Sequence, residues 1–199
     1  MTRVPADLLD RLRDEPELDT RIVESVEGAS AAARFELRER IGAGGMGEVH
    51  LAIDHLRGCS VAVKLLDAID EDDYRRFERE ASALAELRHP AIVGYVAHGK
   101  LGPRAFVAMD WLDGETLAQR FARQGLTVSE SVALGRRIAS ALSHVHELGL
   151  VHRDVKPSNI FLLDGEPEMA TLIDFGIARR ALAESSLTAT GFAIGSVGY

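Results

Sequence analysis

The sequence predicts an α+β fold in two lobes, a small antiparallel β lobe with one helix followed by a mainly helical lobe. Three observations predict it. Apolar residues alternate with period two over 35–66, interrupted by a cluster of glycines. The period then lengthens to helical spacing over 70–87. After two more strand-like runs, helical spacing returns at 115–123 and 128–148.

Residues 1–34 read as a charged lead-in, partly helical or flexible. Leu8, Leu9, Leu12, Ile22, Val23 and Val26 suit one or two short amphipathic helices, closing in the small-residue run 28–33. The domain proper begins at 35. Phe35, Leu37, Glu39 and Ile41 share one face of a strand, glycines turn it, and 48–53 returns as the next strand. A third strand at 61–66 sets Ala62, Lys64 and Leu66 on one face. The helix at 70–87 carries Phe77, Ala81, Leu84 and Leu87 along one stripe. Strands at 93–98 and 105–111 complete a five-strand lobe of about 35–112, and the large-lobe portion runs from about 113 to 199.

The chemistry starts in the turn after the first strand. Ile41-Gly42-Ala43-Gly44-Gly45-Met46-Gly47-Glu48-Val49 contains Gly-x-Gly-x-x-Gly-x-Val, whose glycines let backbone N–H groups approach phosphate. A dinucleotide-binding loop opens a helix, whereas this one continues as a strand; it also lacks the Gly-Lys-Ser/Thr of a P-loop. Lys64 ends Val-Ala-Val-Lys on an otherwise apolar strand, where an unpaired ammonium is costly. Its parity with Ala62 lets a flat adenine lie on Ala62 while Lys64 reaches the phosphates. Glu80 falls three residues after Phe77 and four before Leu84, on the buried side of its helix, and so pairs with Lys64. Further on, His152-Arg153-Asp154-Val155-Lys156-Pro157-Ser158-Asn159 precedes Asp174-Phe175-Gly176. Phosphoryl transfer from a magnesium nucleotide needs such a set: one carboxylate to receive a hydroxyl proton, an amide and another carboxylate to hold metal.

In this order the motifs resemble the bacterial branch of the eukaryotic-like serine/threonine protein kinases, over about 35–199. The resemblance implies the protein-kinase bilobal fold, ATP and Mg2+ as cofactors, and transfer of the γ-phosphoryl group to Ser or Thr hydroxyls of protein substrates. It implies Asp154 as catalytic carboxylate, Lys156 as neutraliser of the moving phosphoryl group, and Asn159 and Asp174 as magnesium ligands. ATP would be bound by Ile41, Gly42, Gly44, Gly47, Val49, Ala62, Lys64 and Glu80. At the hinge, Met109 is implied as gatekeeper, with the Asp110 and Leu112 backbones meeting adenine. Leu84, Tyr95, His152 and Phe175 match the family's apolar spine between lobes. Arg153 is implied to hold a phosphorylated activation loop, with Thr188 and Thr190 as phosphosites; autophosphorylation allows for dimerisation. Ser196 stands where many relatives have threonine. The family's next motif, Ala-Pro-Glu or Ser-Pro-Glu, is not reached by Tyr199, so the resemblance covers an N-terminal portion of the domain.

Composition narrows the rest. A formal charge of −8 argues against nucleic acid as the main partner. The single cysteine, Cys59, excludes an internal disulfide framework and suits a reducing compartment. Neither a secretory signal nor a membrane-length apolar run is visible, so a cytoplasmic location is expected. His144, His146 and His152 do not form a metal set, because residues two apart on a helix do not share a face. Two rivals are a truncated, non-catalytic ATP-binding or regulatory module acting through a partner, and a small-molecule kinase of the same fold. Lys156-Pro157 and the hydroxyl-rich loop after Gly176 disfavour the second.

Overall fold

The structure is a computed structural model that describes residues 25–26, 29–44, 47–68 and 70–175. Its small lobe is a sheet in the order β1-β5-β6-β4-β3-β2. The strands are β1 (Ser25–Val26), β2 (Phe35–Gly44), β3 (Gly47–Asp54), β4 (Cys59–Ala68), β5 (Tyr95–Leu101) and β6 (Arg104–Asp110). The five strands from β2 to β6 pair antiparallel, as the sequence predicts. The sixth, β1, adds parallel to β5 and brings part of the lead-in into the lobe. Helix α1 (Ala29–Arg34) follows, with Ala31 fully buried beside Phe35 in the core.

Period-two alternation divides β4 between two cores. Val61, Val63 and Leu65 pack with Phe35, Ala52, Phe106 and Ala108 on one face. On the other, Leu66 meets Tyr74, Phe77 and Ala81 of α2 (Glu71–Leu84). Burying Phe77 completely contributes about 1.5–3 kcal/mol. Asp70 starts this helix by accepting the Asp73 N–H at 2.8 Å, and Glu71, Asp72 and Asp73 sit favourably in its positive first turn.

Two expectations about this lobe change. The helix ends at Leu84, not 87, because the chain tightens into a turn with Leu87 N–H donating to the Leu84 carbonyl. The expected stripe therefore splits: Phe77 and Ala81 stay in the small lobe, while Leu87 joins the core of the large one. Likewise the fourth predicted strand begins at Tyr95 rather than 93, since Val93 N–H donates to Leu172 of the large lobe at 2.9 Å.

The large-lobe portion packs α3 (Leu117–Arg123) and α4 (Val128–Glu147) on a three-stranded sheet in the order β7-β8-β9. Its strands are β7 (Gly114–Thr116), β8 (Ile160–Leu163) and β9 (Ala170–Leu172). Residues 115–116, predicted helical, are strand. Thr116 is the N-cap of α3 and forms a capping box with Gln119, so the helix starts only at Leu117. Ile138, Ala141 and Val145 of α4 bury against Leu162, Ala170 and Leu172. Val128 and Val132 at the start of α4 are 84% and 50% exposed, so its apolar stripe is covered along only part of its length. Among the described residues no helix is long and apolar enough to cross a membrane.

Candidate active site

Pairing register assembles the upper wall of the site. Val49 opposes Lys64, and Lys64 opposes Val107; two residues along, Leu51 opposes Ala62 and Ala62 opposes Met109. Directly opposed residues share a face, and so do alternate residues of one strand. Val49, Ala62, Lys64 and Met109 are thus brought together on the face that also meets α2. Ile41 lies at the rim, half exposed, next to Gly42, which pairs with Val49.

The glycines of the turn differ in what they permit. A Cβ on Gly47 would sit 1.9 Å from the Leu65 carbonyl oxygen, at a φ of +121° that side chains avoid. A Cβ on Gly42 would meet nothing within 4 Å. Gly47 is therefore required by the sheet, whereas the space at Gly42 is open to a ligand. Gly44 pairs with Gly47 to close the hairpin, and residues 45 and 46 lie outside the described ones.

Below the sheet, Asp154 is buried at 6% exposure. Lys156 Nζ donates to Asp154 Oδ2 at 2.7 Å, and Asn159 Nδ2 donates to the same oxygen and to the Asp154 carbonyl, each at 2.9 Å. Two charge-assisted bonds on one carboxylate fix its direction. Asn159 is itself buried at the end of a 3₁₀ turn (Pro157–Asn159), and its carbonyl accepts from Ile173 N–H at 3.0 Å. That bond ties the loop of Asp154 to the segment delivering Asp174 and Phe175. Arg153 and Asp174 have φ of 63° and 55°, a left-handed geometry that costs a non-glycine residue about 1–3 kcal/mol. His152 is buried against the Phe175 ring with centroids 4.5 Å apart. Burial pushes its imidazole below the ordinary value, an effect that the nearby Ile173 backbone, Asp174 and Asp154 oppose.

The two layers meet at Lys64, whose Nζ donates to both Asp174 oxygens at 2.5 and 2.6 Å. The ammonium is 12% exposed and finds its counter-charge in the carboxylate that the sequence assigns to metal. Glu80, expected as that counter-charge, is half-buried on α2. Lys64, Asp174 and Phe175 line one cavity with Phe77, Leu84, Tyr95 and Met109, so three of the four expected spine residues border it.

At the hinge, Asp110 N–H donates to the Gly94 carbonyl at 2.9 Å and its carboxylate accepts from Arg57 Nη1 at 2.9 Å. A Cβ on Gly94 would lie 1.8 Å from Asp110 Oδ2. The sequence carried one hint of this: a glycine within a strand pattern marks close approach of another group. Leu112 is half-buried, and Trp111 donates its indole N–H to Asp113, an ordinary local contact. Thr188 and Thr190 lie outside the described residues.

Five antiparallel strands extended by β1, with α2 packed on them over a loop in which a buried aspartate meets a lysine and an amide, form the bilobal fold of the protein-kinase class. The protein-kinase-domain model matches residues 35–199, and the chain belongs to that family. Curated relatives place it in the bacterial serine/threonine branch. It is 40% identical over 176 residues to serine/threonine-protein kinase PknB of Mycobacterium tuberculosis, covering 83% of this chain and 28% of the relative. It is 38% identical over 177 residues to the probable serine/threonine-protein kinase PknB of Lactococcus lactis, covering 86% and 28%. The chain thus spans under a third of these relatives' length. Among solved structures, the Mycobacterium tuberculosis PknI kinase domain superposes with TM-score 0.65 at 35% identity, covering 73% of this chain and 60% of that one. A twitchin kinase fragment from C. elegans gives 0.70 at 25% identity, covering 80% and 36%.

Proposed function

We propose that this chain carries the catalytic machinery of a serine/threonine protein kinase that transfers the γ-phosphoryl group of Mg-ATP to Ser or Thr of protein substrates. The observation that carries this reading is the buried Asp154 carboxylate held by both Lys156 and Asn159. Asp154 orients the acceptor hydroxyl and takes its proton as the oxygen attacks phosphorus. Lys156, already beside it, neutralises charge on the phosphoryl group in flight. Lys64 holds the phosphates from above, and the open space at Gly42 admits them. Adenine lies between Ala62 and the hinge, meeting the Asp110 carbonyl, because the Asp110 N–H is bonded to Gly94.

Magnesium fits the residues present. The Asn159 amide and the Asp174 carboxylate offer hard oxygen donors, and magnesium completes its shell with phosphate and water rather than an all-protein cage. The ion supplies charge neutralisation along the phosphates. Asp174 would hold the ion through the carboxylate that now accepts from Lys64, and Lys64 is placed to reach the phosphates from the same spot. Activation follows phosphorylation of Thr188 or Thr190 in trans, with Arg153 as the docking cation, and the setting is cytoplasmic.

Incubating the full protein with labelled Mg-ATP tests this reading. Label should enter wild-type protein or an added protein substrate and be lost in Lys64→Met and Asp154→Asn. Nucleotide binding without label would favour the non-catalytic module.

A further inference from the structure

The site that binds adenine is connected to a part of the chain ahead of the matched domain. Asp54 at the end of β3 is fully buried, and its carboxylate is held by Arg34 of α1 through Nε at 3.0 Å and Nη2 at 2.9 Å. The same carboxylate accepts the Leu56 N–H at 3.0 Å and the Arg57 N–H at 3.4 Å, so it also shapes the β3–β4 turn. His55 N–H returns the contact by donating to the Arg34 carbonyl at 2.8 Å. A buried carboxylate left without its cation is strongly unfavourable, so the turn keeps this form only while Arg34 is in place. From that turn Arg57 reaches the Asp110 carboxylate at 2.9 Å, while Gly94, lacking a Cβ, leaves room for it and takes the Asp110 N–H. Asp110 is thereby gripped on its side chain and on its amide. That grip restrains the backbone leading into its carbonyl, the group adenine would meet.

We infer that Arg34 of α1 sets the hinge for adenine through the relay Arg34–Asp54–Arg57–Asp110, making Arg57 and Arg34 positioning residues for nucleotide binding. The inference rests on the reading of the hinge as the adenine site. The turn is anchored from the N-terminal side by a buried pair and acts on the hinge through a pair whose members are 34% and 43% exposed. The first link is therefore firm and the second adjustable, with an effect that salt weakens. A change that draws Arg34 away from Asp54 would loosen the hinge without touching the phosphate-binding residues.

Binding of Mg-ATP and of magnesium tripolyphosphate, which lacks adenine and ribose, is measured on the full protein. Arg57→Ala should weaken ATP two- to fivefold, roughly the range measured for exposed ion pairs. Tripolyphosphate affinity and the melting temperature without nucleotide should stay unchanged. Asp110→Ala should give a similar loss, and the double variant no more than either alone. Arg34→Ala should reproduce the loss, with Arg57→Ala adding nothing to it. Should Arg34→Ala fail to fold, Arg34→Gln combined with Asp54→Asn removes both buried charges and gives the same readout. Wild-type ATP affinity in Arg57→Ala, additive losses, or an equal loss for tripolyphosphate would overturn the relay. A wild-type protein that binds tripolyphosphate no more weakly than ATP would instead overturn the reading of the hinge.

Discussion

The two sheets of this molecule are built on opposite plans. In the small lobe β2 and β4 each run ten residues, and the sheet is covered on both faces. In the large-lobe portion β7, β8 and β9 have three, four and three residues, and the segments between and after them carry the chemistry. The three described non-glycine residues with positive φ, Arg153, Asp164 and Asp174, all lie in or beside this smaller sheet. Long strands hold their shape by repeated burial. Short ones hold it by individual bonds such as Ile173 N–H to the Asn159 carbonyl. Asp154, Asn159 and Asp174 reside where single bonds set the backbone, whereas Lys64 is delivered by the repeating register of β4.

If that contrast is right, substitutions in the two regions should fail differently. The largest effect belongs to Asp154→Asn: phosphoryl transfer should fall about 10²- to 10⁴-fold, with the melting temperature shifted by only a few degrees. Collapse of the fold together with activity would erase the distinction. Phe77→Ala should do the reverse, costing about 3–5 kcal/mol of small-lobe stability in urea titration through the cavity it leaves. Within the glycine turn, Gly47→Ala should cost about 1–3 kcal/mol and Gly42→Ala less than about 0.5, since only the first meets backbone. Equal losses at the two glycines would show that the turn rearranges freely.

A pH-dependent effect concerns His98 of β5, buried at 1% exposure, beside Phe77 and hydrogen-bonded to Tyr95, with Glu78 as the charge that opposes its shift. Burial pushes its imidazole below the ordinary 6.5, Glu78 only partly opposing, so folding favours the neutral ring. The unfolded chain then binds more protons as the solution is acidified. Stability due to this group is complete above about pH 6.5 and declines as pH falls from there towards the depressed folded value, by at most about 1.4 kcal/mol per pH unit. Melting temperatures from pH 7.5 to 5 should show a slope of this sign, shared with His152 and His89, and His98→Gln should reduce it.

Legibility in the sequence follows the same division. Phe35 to Leu66 announce their strands through alternation, and Lys64, Asp154, Asn159 and Asp174 stand out through spacing. The strands of the smaller sheet are too short for any period to register. The stripe from Phe77 to Leu87 could not reveal that its last member crosses into the other core, since periodicity is blind to where a helix stops. The Arg34–Asp54 and Arg57–Asp110 pairs join residues 20 and 53 positions apart, and such links leave no local mark. The Lys64–Asp174 pair spans 110 positions.

One contact has mechanical weight. The chain passes between lobes at residues 110–113, and the segment just after α2 is stitched to the large lobe a second time, by Val93 N–H to Leu172 and Leu172 N–H to Ala91. Arg137 of α4 locks the same segment by donating to the Pro90 carbonyl at 2.6 Å. Two attachment points define an axis, and turning one lobe about it would break fewer of these bonds than sliding one lobe over the other. The C-terminal end of α2 sits at that pivot while its N-terminal end lies about 21 Å away along 14 residues. The helix therefore works as a lever, and a rotation of about 10° at the pivot carries its far end through about 4 Å. Glu80 lies four residues from the pivot end and would travel much less, so a rotation about this axis would adjust the groups around Lys64 gently while swinging the acidic first turn through a wide arc.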